Sequence, residues 1–287
     1  MPKAQQDGTI RDLVLNLSSV ATDDATIDYA VSLAGAFDAH LAAVAFVYEE
    51  VPIAMLGDDI AAQWIDGVEE LRREAQRAAK ATLAKFDKLA RGAGLSAEAR
   101  MVETTFTEAG DEFGRIARRF DLSLVRQAEP ASRRPDNLII QAALFDTGRP
   151  VLIVPYIQKG EARLDRILIC WDGSRPAARA IADSLPFLRR AKAIEIVTVG
   201  ERVKGEETMT GGDIADHLRR HDLSVATKNI VAPDVDVTST ILSHAADCSA
   251  DMLVMGGYGH SRLREFVLGG ATRGILATMT VPTLMSH

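Results

Sequence analysis

Twice along this chain a short apolar run, a polar turn and an apolar-periodic stretch follow one another in the same order, and the two rounds can be laid over each other. Leu13-Val14-Leu15-Asn16-Leu17-Ser18 matches Ile167-Leu168-Ile169-Cys170-Trp171-Asp172, and Pro150-Val151-Leu152 matches Val281-Pro282-Thr283-Leu284 with Pro150 on Pro282. Between these anchors the first round predicts strands at 13–17, 40–47, 97–103, 122–125 and 151–154, and helices at 25–37, 60–91, 108–119 and 137–145. The second predicts strands at 166–171, 193–199, 224–230, 252–255 and 281–285. Its helices run over 175–190, up to about His221, from an Asp236 cap to Cys248, and over 271–278. Short apolar strands alternating with helices give right-handed parallel units, so each half is expected to be a five-stranded, doubly wound α/β sheet. The expected division is 1–157 and 164–287, with the polar, Gly160-containing stretch 157–163 as linker. In such sheets ligands bind beyond the carboxyl ends of the strands, where the strand order reverses.

One stretch at that edge carries recognisable chemistry. After the apolar run Met252-Leu253-Val254-Met255 comes Gly256-Gly257-Tyr258-Gly259-His260-Ser261-Arg262-Leu263-Arg264, then Gly269-Gly270-Ala271-Thr272 opening a helical pattern. Glycines at a strand-to-helix handover let backbone N–H groups approach an anion closely. The helix start adds free amides and the positive end of its dipole. His260, Arg262 and Arg264 add cationic side chains, so the stretch reads as a phosphate cradle. The glycines alone fit tight turns equally well.

The spacing Gly256, two residues, Gly259, nine residues, Gly269 resembles the nucleotide-binding signature of the universal stress protein family, in which the last glycine is followed by Ser or Thr. Here Gly270 stands in place of that hydroxyl, and Thr272 is the nearest one. The resemblance covers nearly the whole chain by layout and implies two tandem Rossmann-like domains of the adenine nucleotide α-hydrolase type. It implies an adenosine contact at Asp172 and a backbone contact to adenine at Val199. Phosphate contacts would come from Gly256, Gly259, Gly269 and their neighbours His260, Arg262, Gly270 and Thr272. The ligand expected is ATP, with Mg²⁺ able to bridge its phosphates. In the first half Ser18 replaces the Asp, and the loop 126–135 has no glycine, so that half reads as a degenerate site. Its expected role is to pack on the second half as an internal pseudo-dimer, Val151–Val154 against Val281–Met285, with a further homodimer and an unidentified protein partner left open.

Other classes find little support. The net charge of −7 and pI near 5.4 argue against nucleic acid as partner. No apolar run reaches the roughly 18 residues of a membrane span, and the first residues lack an apolar signal core, so a cytoplasmic protein is expected. Cys170 and Cys248 have no metal spacing and read as buried free thiols. His217, His221 and His244 lack metal-ligand spacing, so no metal site is expected. No Walker A element and no triad appear, so no catalytic residue is assigned and any ATPase activity is expected to be slow. Two rivals stand beside the nucleotide reading. One is a stress-related interaction module that binds no nucleotide. The other is an apolar ligand pocket under the excursions 51–91 and 200–212.

Overall fold

The computed structural model describes residues 9–17, 24–49, 58–129, 135–200, 210–231, 236–257 and 270–287. The first half contains β1 (Asp12–Leu17), α1 (Asp24–Phe37), β2 (His40–Glu49), α2 (Asp58–Gly92), β3 (Ala97–Thr105), α3 (Ala109–Ala117), β4 (Leu122–Arg126), α4 (Asp136–Phe145) and β5 (Val151–Val154). The second contains β6 (Arg166–Cys170), α5 (Arg175–Leu188), β7 (Ala193–Val199), α6 (Gly211–Arg219), β8 (Val225–Ile230), α7 (Val237–Asp247), β9 (Met252–Gly256), α8 (Gly270–Thr278) and β10 (Thr283–Ser286).

Each half is the expected doubly wound parallel sheet, and the two sheets fuse. The strand order is β3-β2-β1-β4-β5-β10-β9-β6-β7-β8. Every pair is parallel except β5–β10, which is antiparallel with Thr283 opposite Ile153 and Met285 opposite Val151. The last strands therefore pair as the resemblance implies, and they join ten strands into one sheet. β10 starts at Thr283 rather than Val281. Pro282 has no N–H to donate, and its carbonyl accepts from Leu253 N at 2.9 Å.

Strands at the sheet centre are buried on both faces, which is why they read as unbroken apolar runs. Leu13, Val14, Leu15, Ile167, Leu168, Ile169, Leu253 and Val254 are fully buried. The two edge strands differ. β8 exposes Ala226 to Asn229, and β3 carries Glu98, Arg100 and Glu103. Charged edges of this kind discourage pairing with another chain. The long helix α2 covers β2 and β3 with Ala79, Phe86 and Ala90. Beside that apolar face an ion-pair network ties α2 to the strand ends: Arg72 meets Glu103 of β3 and Glu49 of β2, and Gln76 Nε2 donates to Glu103 at 2.8 Å. Those donors hold the Glu103 carboxyl below the ordinary carboxylate range.

Strand register equates the halves residue by residue. Arg126 pairs with Val154 as Gly256 pairs with Ser286, and Leu15 pairs with Leu124 as Ile169 pairs with Val254. Cores run across the join on both faces. Phe37 of α1 and Phe187 of α5 meet edge-to-face at 5.1 Å, with the Arg190 guanidinium 4.4 Å above the Phe37 ring.

Candidate nucleotide site

In the second half the strand order reverses between β6 and β9, the position at which ligands bind beyond the carboxyl ends of doubly wound sheets. β6 leads through the buried Trp171 to Asp172, which is exposed. Asp172 Oδ1 accepts the Ser174 N–H at 2.9 Å, closing a local turn around Gly173. Gly173 has φ +79, where a side chain would strain the backbone. Ser174 then caps α5, its hydroxyl accepting from Ala177 N at 3.2 Å. Cys170 lies just behind. Burial, with a smaller contribution from the Asp172 carboxylate, pushes its thiol up to about 12.

Val199 ends β7 beside β6, in register with Ile230, and the chain leaves it through Gly200 at φ +126. Gly256 ends β9. A Cβ there would lie 2.7 Å from the Pro176 carbonyl carbon, 2.9 Å from Pro176 Cβ and closer still to Ala177 N. The first turn of α5 thus rests on Gly256, and the residue must be glycine on packing grounds alone. That helix start has few amides left for an anion, because Pro176 has none and Ala177 N serves Ser174. Gly270 begins α8, is exposed and has no atom within 4 Å of where its Cβ would stand. Thr272, one turn in, is only 4% exposed. α8 is pressed onto α7 at Gly274, where a Cβ would meet the Thr238 side chain. Asp172, Val199, Gly256 and Gly270 thus sit around one edge of the sheet. Gly259, His260, Arg262 and Gly269 lie outside the described residues.

The same edge of the first half is built differently. Arg126 holds the register position of Gly256 and ion-pairs with Glu129 at 2.6 Å, its side chain only 10% exposed. Gln127 holds the position of Gly257 and is 1% exposed. Its Nε2 donates to the Leu276 carbonyl of α8 at 2.9 Å, and its Oε1 accepts from Tyr156 N at 3.2 Å. The sequence marks this loop only as lacking glycine, and Gln127 gives no signal there because its partner is 149 residues away. A separate cavity of about 720 Å³ lies between the carboxyl ends of β2 and β3 and α3. Glu49, Glu103, Glu108, Asp111, Glu112, Arg115 and Arg118 line it, and Arg115 ion-pairs with Glu112 on the same helix.

The fold defines a doubly wound α/β protein with glycines at the carboxyl edge of its second half, Gly173, Gly200, Gly256 and Gly270 among them. Residues 163–287 match the model of the universal stress protein family. The C-terminal part of this chain is a universal stress protein domain. A universal stress protein of Synechocystis is 25% identical over 142 residues, 47% of this chain and 46% of that protein, so the match spans about half the length of that relative. The fold of the whole chain is that of solved universal stress proteins. One from Archaeoglobus fulgidus superimposes with a TM-score of 0.68 at 15% identity, covering 94% of this chain and 97% of the other. A candidate universal stress protein from Pseudomonas aeruginosa gives 0.57 at 16% identity, covering 96% and 93%. Among the described residues no helix is long and apolar enough to cross a membrane.

Proposed function

We propose that the second half, residues 164–287, binds one adenine nucleotide, ATP above all, beyond the carboxyl ends of β6 and β9. The bound state would regulate a protein partner rather than turn the nucleotide over quickly. The observation that carries this reading is the convergence of Asp172, the end of β7 and the start of α8 on one sheet edge. The stretch with the family's glycine spacing connects β9 to α8 at that same edge. Asp172 keeps its turn with one carboxylate oxygen, so capping and ribose binding are compatible. His260, Arg262, Gly259 and Gly269 supply the phosphate contacts in this reading, with Mg²⁺ able to bridge the phosphates. The first half, residues 1–157, serves as a structural partner. Arg126 stands where Gly256 stands in the other half.

A second reading, an interaction module without nucleotide, draws on one observation. Gly256 is accounted for by the packing of α5, and Gly270 lacks the hydroxyl. Mass spectrometry of small molecules released from freshly purified protein separates the two. Release of an adenine nucleotide from the native chain, and its absence from Gly259→Val, supports the first. Equal, empty results from both support the second.

A further inference from the structure

Away from the proposed nucleotide site, near the opposite end of α7, three metal-ligating side chains come together. Glu195 points from β7, and His244 and Cys248 stand one turn apart at the end of α7. Their ligand atoms all lie within 4.8 Å of one another. His244 Nε2 is 2.9 Å from Glu195 Oε2, and the side chains are 8% and 21% exposed. Cys248 is a free thiol whose Sγ makes a long contact of 3.6 Å to the Ala245 carbonyl. We propose that Glu195, His244 and Cys248 form a site for a borderline-soft divalent cation, Zn²⁺ in particular.

The chemistry of the donor set carries the choice. One thiolate, one imidazole and one carboxylate are the zinc ligands of choice, and three protein ligands leave a fourth position for water. Tetrahedral zinc with bonds of about 2.0–2.3 Å needs donors about 3.3–3.8 Å apart, so closure asks for shifts of about an ångström. Two of the ligands sit on a helix C-terminal turn and one on a core strand, which gives the site a rigid frame. Lys228 is the competing feature. Its Nζ is 3.3 Å from His244 Nδ1, but it belongs to the exposed edge strand β8 and can swing into water. Ion binding at Nε2 would put the ring proton on Nδ1 and displace the ammonium. Burial raises the Cys248 thiol, and a bound cation would reverse that by stabilising the thiolate, with one proton released. The spacing in sequence hides the site, since Glu195 is 49 residues from His244.

The test uses the full chain, freed of metal by chelation. Co²⁺ is added as a spectroscopic stand-in, and Zn²⁺ is titrated against a chromophoric chelator. One equivalent of Zn²⁺ and a thiolate-to-cobalt charge-transfer band are expected. Cys248→Ser, nearly isosteric, should lose the band and weaken Zn²⁺ by at least about tenfold with an unchanged circular dichroism spectrum. Lys228→Met, which leaves all three ligands in place, should tighten binding. No Zn²⁺ binding to the native chain, or binding that Cys248→Ser leaves unchanged, overturns the proposal.

Discussion

Gln127 and Gly257 occupy the same register position in the two halves of the sheet, and each meets the same place on the opposite half. The Gln127 amide donates to the carbonyl of Leu276 in α8. A Cβ on Gly257 would sit 2.7 Å from Leu144 Cδ2 in α4. Leu144 and Leu276 each stand six residues before the matched prolines Pro150 and Pro282. The molecule therefore has an approximate internal two-fold relation, and the Gln127 side chain spans from the first half to α8 of the second.

Replacing Gln127 with Ala tests that bond. Both amide ends are used in a 1% exposed site, so the Leu276 carbonyl and Tyr156 N–H would lose their partner. The expected loss is about 1–3 kcal/mol in urea unfolding. Loss below a few tenths would mean that the bond contributes nothing to the join.

The glycines divide by what surrounds them. Gly256→Ala drives a methyl into the Pro176–Ala177 backbone and is expected to destabilise by about 1–3 kcal/mol or more. Gly270→Ala meets open space in a helix and is expected to be neutral or to stabilise by about 0.5–1 kcal/mol. Thermal unfolding of both variants reads this directly. Gly270→Ser restores the hydroxyl of the family pattern, and under the nucleotide reading it should tighten ATP severalfold.

Asp172→Asn separates turn from binding. An amide oxygen still accepts the Ser174 N–H, so stability should stay within about 0.5 kcal/mol. The charge that would meet a ribose hydroxyl is gone, so ATP affinity should fall roughly tenfold. Equal affinity would remove Asp172 from the site.

The raised Cys170 thiol makes an alkaline prediction. The Cys170 thiol is raised from 9.0 to about 12 in the folded chain. Its stabilising contribution is thus complete below about pH 9 and drains away as pH climbs towards 12, because the unfolded chain ionises first. Both thiols are raised, Cys170 further, so a thiol reagent should modify Cys248 before Cys170. Burst labelling of Cys170 in the native state would contradict the raised thiol.

The alternation of apolar runs and helical periods made the strands legible, because both faces of a parallel sheet must be apolar, whereas the pairing of the last strands was implied by the family resemblance. Asp236 was readable as a helix cap for the same local reason, and its side chain accepts from Ser239 N at 2.9 Å. Contacts between distant segments were not legible. Gly256 looks like a phosphate glycine in the sequence, yet the first turn of α5 leaves it no room for a side chain. Gln127 looks like an ordinary loop residue, and Glu195 an ordinary strand charge, until the fold brings Leu276 and His244 beside them. Local periodicity records what one element buries, and it is silent on which remote group completes a hydrogen bond.

The central claim is one nucleotide per chain, held by the second half. Calorimetric titration of the full chain with ATP in Mg²⁺ tests it most directly. One equivalent, abolished by Gly259→Val, is the predicted result. No heat with a folded chain, or two equivalents per chain, would contradict it, the first by removing the site and the second by placing another in the half read as degenerate.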